Sequence, residues 1–102
     1  MGLRMDLEDE RGHAVERVLD PTNILHRLLP SHDDGSFQCL RFIDWYGDTV
    51  FNRLQMDVFL AELSHIAQKA QTKEQRELLS QIEDLARRCQ RGPHLYLKFY
   101  GD

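Results

Sequence analysis

Residues 54–93 read LQMDVFLAEL SHIAQKAQTK EQRELLSQIE DLARRCQRGP, and the spacing of their apolar residues decides the fold. Met56, Phe59, Leu60, Leu63, Ile66, Ala67 and Ala70 recur at steps of three and four, which draws one apolar stripe along a helix from Leu54 to Ala70. Glu62, His65 and Lys69 are read onto the opposite, polar face. Thr72-Lys73-Glu74-Gln75 is a capping box that starts a second helix. Leu78, Ile82, Leu85 and Cys89 form its packing seam, and Gly92-Pro93 ends it. Arg87, Arg88 and Arg91 complement the dipole of that helix end, and Glu83 with Arg87 and Asp84 with Arg88 are i,i+4 pairs in the favourable order. With so few residues between them, the two helices must fold back as an antiparallel hairpin. One such hairpin needs a second layer to cover its apolar side.

The flanks supply that layer. His94 to Tyr100 alternates Leu95, Leu97 and Phe99 against Tyr96, Lys98 and Tyr100, which predicts a strand. Before the hairpin, Leu3, Met5 and Leu7 alternate with Arg4, Asp6 and Glu8, and Glu10-Arg11-Gly12 turns the chain into Ala14 to Leu19. An N-terminal β-hairpin is expected. Asp20-Pro21-Thr22-Asn23 reads as the start of a short helix carrying Ile24, Leu25, Leu28 and Leu29 up to Pro30, with Asp20 as its cap. His32 to Ser36 is a turn. Phe37 to Ile43 is apolar on both faces and reads as an inner strand covered on both sides. Asp44 to Thr49 breaks the pattern as a loop, and Val50-Phe51 forms a brief strand. The order ββαβααβ predicts an α+β fold, a two-layer sandwich in which a small, mostly antiparallel sheet carries the helical hairpin on one face.

The chain has 102 residues, of which 41% are hydrophobic. That is a single domain spanning 1–102, with one modest core and little apolar material left to wall a deep active site. No internal repeat, low-complexity segment or linker divides it. The net charge of −4 is uneven: residues 1–51 hold ten acids and five bases, and residues 52–102 seven and eight. Without a basic surplus, nucleic acid is not an expected partner. The N-terminus carries acids where a secretory signal needs an apolar run, and no stretch is long enough to span a bilayer, so no membrane association is expected and the location expected is cytoplasmic. Gly2 is not followed by the Ser or Thr at position 6 that N-myristoylation prefers. Cys39 and Cys89 stand 50 positions apart in unlike contexts, outside any C-x-x-C pair, and read as buried or half-buried free thiols, with nothing in the apolar surroundings of Cys39 to lower its pKa.

No nucleotide-binding, hydrolase or zincin signature is present among the six glycines or elsewhere, so no cofactor and no catalytic residue is assigned. His26, His32, Asp33 and Asp34 have ligand chemistry but read as a solvated turn beside Gly35, and no metal site is assigned. His65 and His94 read as surface histidines. Asp44, Asp48 and Asp57 could converge near the Trp45-Tyr46 loop. A carboxylate pair with a nearby histidine is the equipment of a small enzyme or a metal-binding domain, which stands as the alternative reading. The preferred reading is non-catalytic. Trp45, Tyr46 and Asp48, backed by Tyr96 and Tyr100, are read as an acidic and aromatic face of the kind that carries binding energy at interfaces. Core packing is the commoner fate of a Trp beside an apolar strand, and Tyr46 is the better candidate for exposure. The expected partner is another protein, basic where it meets this face, and pairing of the Leu3–Leu7 strand across a two-fold axis would give a homodimer.

The segment Tyr46-Gly-Asp-Thr-Val-Phe-Asn-Arg-Leu-Gln55, the Leu-rich helix after it and the closing Leu95-Tyr-Leu-Lys-Phe-Tyr-Gly-Asp102 resemble small uncharacterised bacterial proteins that share Tyr-Gly-Asp-Thr-Val-Phe-Asn. The resemblance spans roughly the last two thirds of the chain. It implies a compact bacterial domain and brings no activity or catalytic residue with it.

Overall fold

A computed structural model describes residues 2–101. Strands β1 (Arg4–Asp9), β2 (Ala14–Leu19), β3 (Asp48–Asn52) and β4 (Leu95–Tyr100) form one antiparallel sheet in the order β2-β1-β4-β3. Helices α1 (Met56–Ala67) and α2 (Lys73–Arg91) make the hairpin and pack on one face of it. The fold is the α+β arrangement that the alternation and the helical stripes predict.

The alternating strands place Met5, Leu7, Val18, Phe51, Leu97 and Phe99 in the core, where they meet Met56, Phe59, Leu63 and Ile66 of α1 and Ile82, Leu85, Ala86 and Cys89 of α2. Phe51, Phe59 and Phe99 pack mutually, with ring centroids 5.4 to 6.0 Å apart. The capping box of α2 is complete: Thr72 Oγ1 accepts the Gln75 N–H at 3.1 Å, and Gln75 Oε1 accepts the Thr72 N–H at 3.2 Å. A second box precedes α1, with Asn52 and Gln55 bonding reciprocally around the 3-10 turn Arg53–Gln55. The Glu83–Arg87 pair closes at 2.7 Å, whereas Arg88 reaches across to Glu16 on β2 at 3.2 Å and leaves Asp84.

Four expectations are corrected. The segment from Phe37 to Ile43 is no strand: it is a loop with one 3-10 turn at Leu40–Phe42, and β3 is the strand that Val50 and Phe51 mark. The reason lies in α1. Glu62, assigned to the polar helix face, is 9% exposed, and its carboxylate accepts the backbone N–H groups of Cys39 and Leu40, both at 3.0 Å, and of Gln38. Those amides would otherwise need a ladder partner. The expected helix before Pro30 contracts to a single turn at Leu25–Arg27 whose N-cap is Ile24, so Asp20 is not the cap of a helix opening at Pro21; its carboxylate instead accepts the Ile24 and Leu25 N–H groups, both at 2.8 Å, from outside the turn. Finally, β1 is interior to the sheet, flanked by β2 and β4, so it has no free edge for a two-fold pairing. The edges are β2 and β3.

Candidate interaction surface

The helices occupy one side of the sheet, and the strands alternate, so a second set of side chains projects from the uncovered side. Register fixes that set. Asp48 pairs with Tyr100, Val50 with Lys98 and Asn52 with Tyr96, while Arg4, Asp6 and Glu8 lie opposite the same three β4 residues on the other flank. Arg17 and Leu19 extend the row from β2.

These side chains order one another. Asp6 is 1% exposed although no helix covers it, because Arg17 donates to it twice, at 3.0 and 3.2 Å, and Arg4 lies 3.4 Å away. The hydrogen bond to Asp6, followed by its charge, raises the Arg17 guanidinium above its ordinary pKa. The Tyr100 hydroxyl donates to Glu8, and the Tyr100 ring receives the Arg4 guanidinium at 4.1 Å and the Lys98 ammonium at 4.6 Å from its centroid. Tyr100, followed by the charges of Glu8 and Asp48, also raises Lys98. Cations over an aromatic face are attracted by its quadrupole, and each bridges a carboxylate here as well.

The loop from Asp44 to Gly47 stands at the Tyr100 end of this face. The Gly101 N–H donates to the Gly47 carbonyl at 2.8 Å, and a Cβ at Gly101 would fall 2.4 Å from the Trp45 carbonyl oxygen and 2.8 Å from that of Asp44. Only glycine permits the approach. Within the loop Asp44 accepts the Tyr46 N–H at 2.9 Å, and the Asp44 N–H donates to Thr49 Oγ1. Trp45 turns inward, half-buried against the core with the His26 ring 4.4 Å away, edge to face. Tyr46 turns outward and is 83% exposed.

Of the residues singled out from sequence, then, Asp48, Tyr96 and Tyr100 share the open face, Tyr46 stands exposed at its corner, and Trp45 anchors the loop that presents it. Arg4, Asp6, Glu8 and Arg17 belong to the same surface and were not singled out. Their alternation with Leu3, Met5 and Leu7 already assigned three of them to the polar face of β1. The carboxylates of the alternative reading are not gathered: Asp44 is spent on its own loop, Asp48 faces Lys98 at 3.8 Å, and Asp57 accepts from Gln90. No group of three His, Cys, Asp or Glu side chains able to hold a metal ion occurs among the described residues. His32 contacts the Ile43 carbonyl at 3.1 Å, and Asp34 closes a turn onto Ser36. Both thiols are buried and unpaired, and burial raises their pKa, with the charge of Glu62 adding to the effect at Cys39. No described helix is long and apolar enough to cross a membrane.

No family model, curated protein or solved structure matches this chain.

Proposed function

We propose that this chain is a non-catalytic interaction module, of a regulatory or immunity-like kind, that binds another protein through the uncovered sheet face and the loop at its corner. The one-sidedness of the fold carries this reading: both helices stand on one face, and the other presents Tyr96, Tyr100 and the 53%-exposed Val50 beside an 83%-exposed Tyr46. A Tyr offers a large apolar ring and one polar tip at little conformational cost, which suits it to recognition. Across the sheet itself Arg4, Arg17 and Lys98 stand beside Asp6 and Glu8, whereas the corner around Tyr46 carries Asp44 and Asp48, the latter 3.8 Å from Lys98. A basic group on the partner fits that corner, and its contribution would fall on the association rate more than on the lifetime of the complex. No observation favours the enzymatic alternative, since its carboxylates have separate partners.

A photo-crosslinking amino acid at position 46, compared in cells with one at exposed position 69 on the helical side, tests the reading. A discrete adduct from position 46 alone, weakened by Asp48→Ala, is expected. The same adducts from both positions, or none from either, would overturn it.

A further inference from the structure

The opposite edge of the sheet carries a different surface. Between β2 and α2 lies a groove of about 740 Å³, walled by Leu19 and Arg17 on the strand and by Leu85, Arg87, Arg88 and Arg91 on the helix. We propose that this groove binds an extended acidic peptide segment of a partner protein, which adds to β2 as a fifth strand. Three observations meet here.

The first is the free edge. The Asp20 N–H donates to the Leu3 carbonyl, which makes Leu3 and Asp20 a hydrogen-bonded pair of the antiparallel ladder. Pairs alternate, so Met5 with Val18 is bonded and Arg4 with Leu19 and Asp6 with Arg17 are not. The N–H and C=O groups of Arg17 and Leu19 therefore point away from β1, toward the groove. A peptide backbone can take them up, as in other strand additions. The second is the wall. The last turns of α2 overhang this edge, so one face of an added strand would meet Leu85 and the stems of the arginines, with the 60%-exposed Leu19 on the other side. The third is charge. Four guanidinium groups line the groove against Glu16 and Asp84. Arg88 is engaged by Glu16, Arg87 by Glu83 and Arg17 by Asp6, while Arg91 makes no ion pair among the described residues. Guanidinium forks pair bidentately with carboxylates. A second copy is a poorer occupant, because pairing β2 with β2 across a two-fold axis would bring two arginine-bearing α2 ends toward one another, and β2 itself (AVERVL) has no acidic surplus to offer.

The test is a selection of random peptides displayed on phage against the whole protein, with Arg87→Gln/Arg91→Gln as the counter-target. Enriched peptides should be acidic with apolar residues at alternate positions, and a synthetic consensus should bind the double variant about tenfold more weakly. The same peptide with one ladder-facing amide N-methylated should lose about tenfold as well, with the protein left untouched. Tyr46→Ala should leave this binding unchanged, which separates the groove from the sheet face. A neutral or basic consensus, equal binding to the double variant, indifference to N-methylation, no enrichment at all, or a dimer in solution with protected β2 amides would each overturn the proposal.

Discussion

Replacing Glu62 by Gln probes the contact that turns Phe37 to Ile43 from a strand into a loop. The carboxylate accepts three consecutive backbone amides, at Gln38, Cys39 and Leu40, from the middle of α1. A hydrogen bond to a charged acceptor contributes about 1.5–3 kcal/mol net, and an amide left buried without a partner costs about 1–3 kcal/mol. Gln keeps one accepting oxygen and sets an N–H₂ group against the remaining amides, so at least one bond is lost and one donor faces another. The loop lies near the surface, with Gln38 exposed, so water can reach some of what is released. The expected cost is about 2–4 kcal/mol, a large share of the roughly 5–15 kcal/mol that stabilises a domain. At about 4–8 °C per kcal/mol for a chain near this size, Tm should fall by roughly 8–32 °C. Urea unfolding measures the cost, with Glu77→Gln as control, since Glu77 is exposed and only 3.7 Å from Lys73 in an exposed pair. The two cysteines add a local readout. Cys39 sits in the bolted loop and Cys89 in α2, so Glu62→Gln should speed the labelling of Cys39 by a thiol reagent far more than that of Cys89. A loss below about 1 kcal/mol, together with an unchanged ratio of the two labelling rates, would refute the assignment of Glu62 as the loop's anchor.

Tyr46→Ala and Asp48→Ala should each leave stability within about 0.5 kcal/mol in calorimetry, since both side chains are exposed; a larger loss would make them structural. Gly101→Ala should displace the Trp45 loop, because the new Cβ would overlap two carbonyl oxygens, and the emission of the single Trp should shift red; an unchanged spectrum with unchanged Tm would contradict the close approach. Burial raises both thiols above the ordinary value of 9.0, so the folded state favours their neutral form. Their contribution is fully present below pH 9 and is lost as pH rises past it, so Cys39→Ser/Cys89→Ser should show a shallower fall of stability above pH 9 than the parent. Equal slopes would refute the sign. Asp6→Asn should cost about 1.5–3 kcal/mol in urea unfolding, since it removes a buried charge that two arginines surround.

The elements legible in the sequence are those whose partners lie within their own period. The helical hairpin shows itself through apolar steps sustained over several turns and through Thr72-x-x-Gln75. The two central strands, β1 and β4, show themselves through alternation. Phe37 to Ile43 misleads because an apolar run has no period of its own: Phe37, Cys39, Leu40 and Ile43 are buried, but Phe42 between them is 55% exposed, a pattern of neither strand nor helix. Its backbone bonds go to a side chain more than twenty positions away, beyond any local window. A trace of that role was present, because Glu62 stands three residues after Phe59 and four before Ile66, at the margin of the apolar stripe. An acid at that position must find a partner when the stripe is buried. The candidate surface was legible in part for the same reason: alternation assigned Tyr96 and Tyr100 to one face, but only strand order brings Arg4, Asp6 and Glu8 beside them.

Charge, too, changes meaning once the chain is folded. The acidic surplus of the first half looks like a steering surface when counted along the chain, yet Asp6, Glu8 and Asp20 are buried in it. Asp6 and Glu8 set the arginines and Tyr100 of the open face, and Asp20 accepts the Ile24 and Leu25 amides. The charge left exposed at the margins of the sheet is local: Asp44 and Asp48 stand at a corner near the β3 edge, and arginines line a groove at the β2 edge. These lie on opposite margins of one sheet, so occupation of one leaves the other accessible. The floor between them is polar and its carboxylates are already paired, unlike the apolar surfaces that permanent assemblies bury. A surface that is satisfied without a partner can release one, so the proposed contacts at the two edges are of the reversible kind rather than one obligate interface.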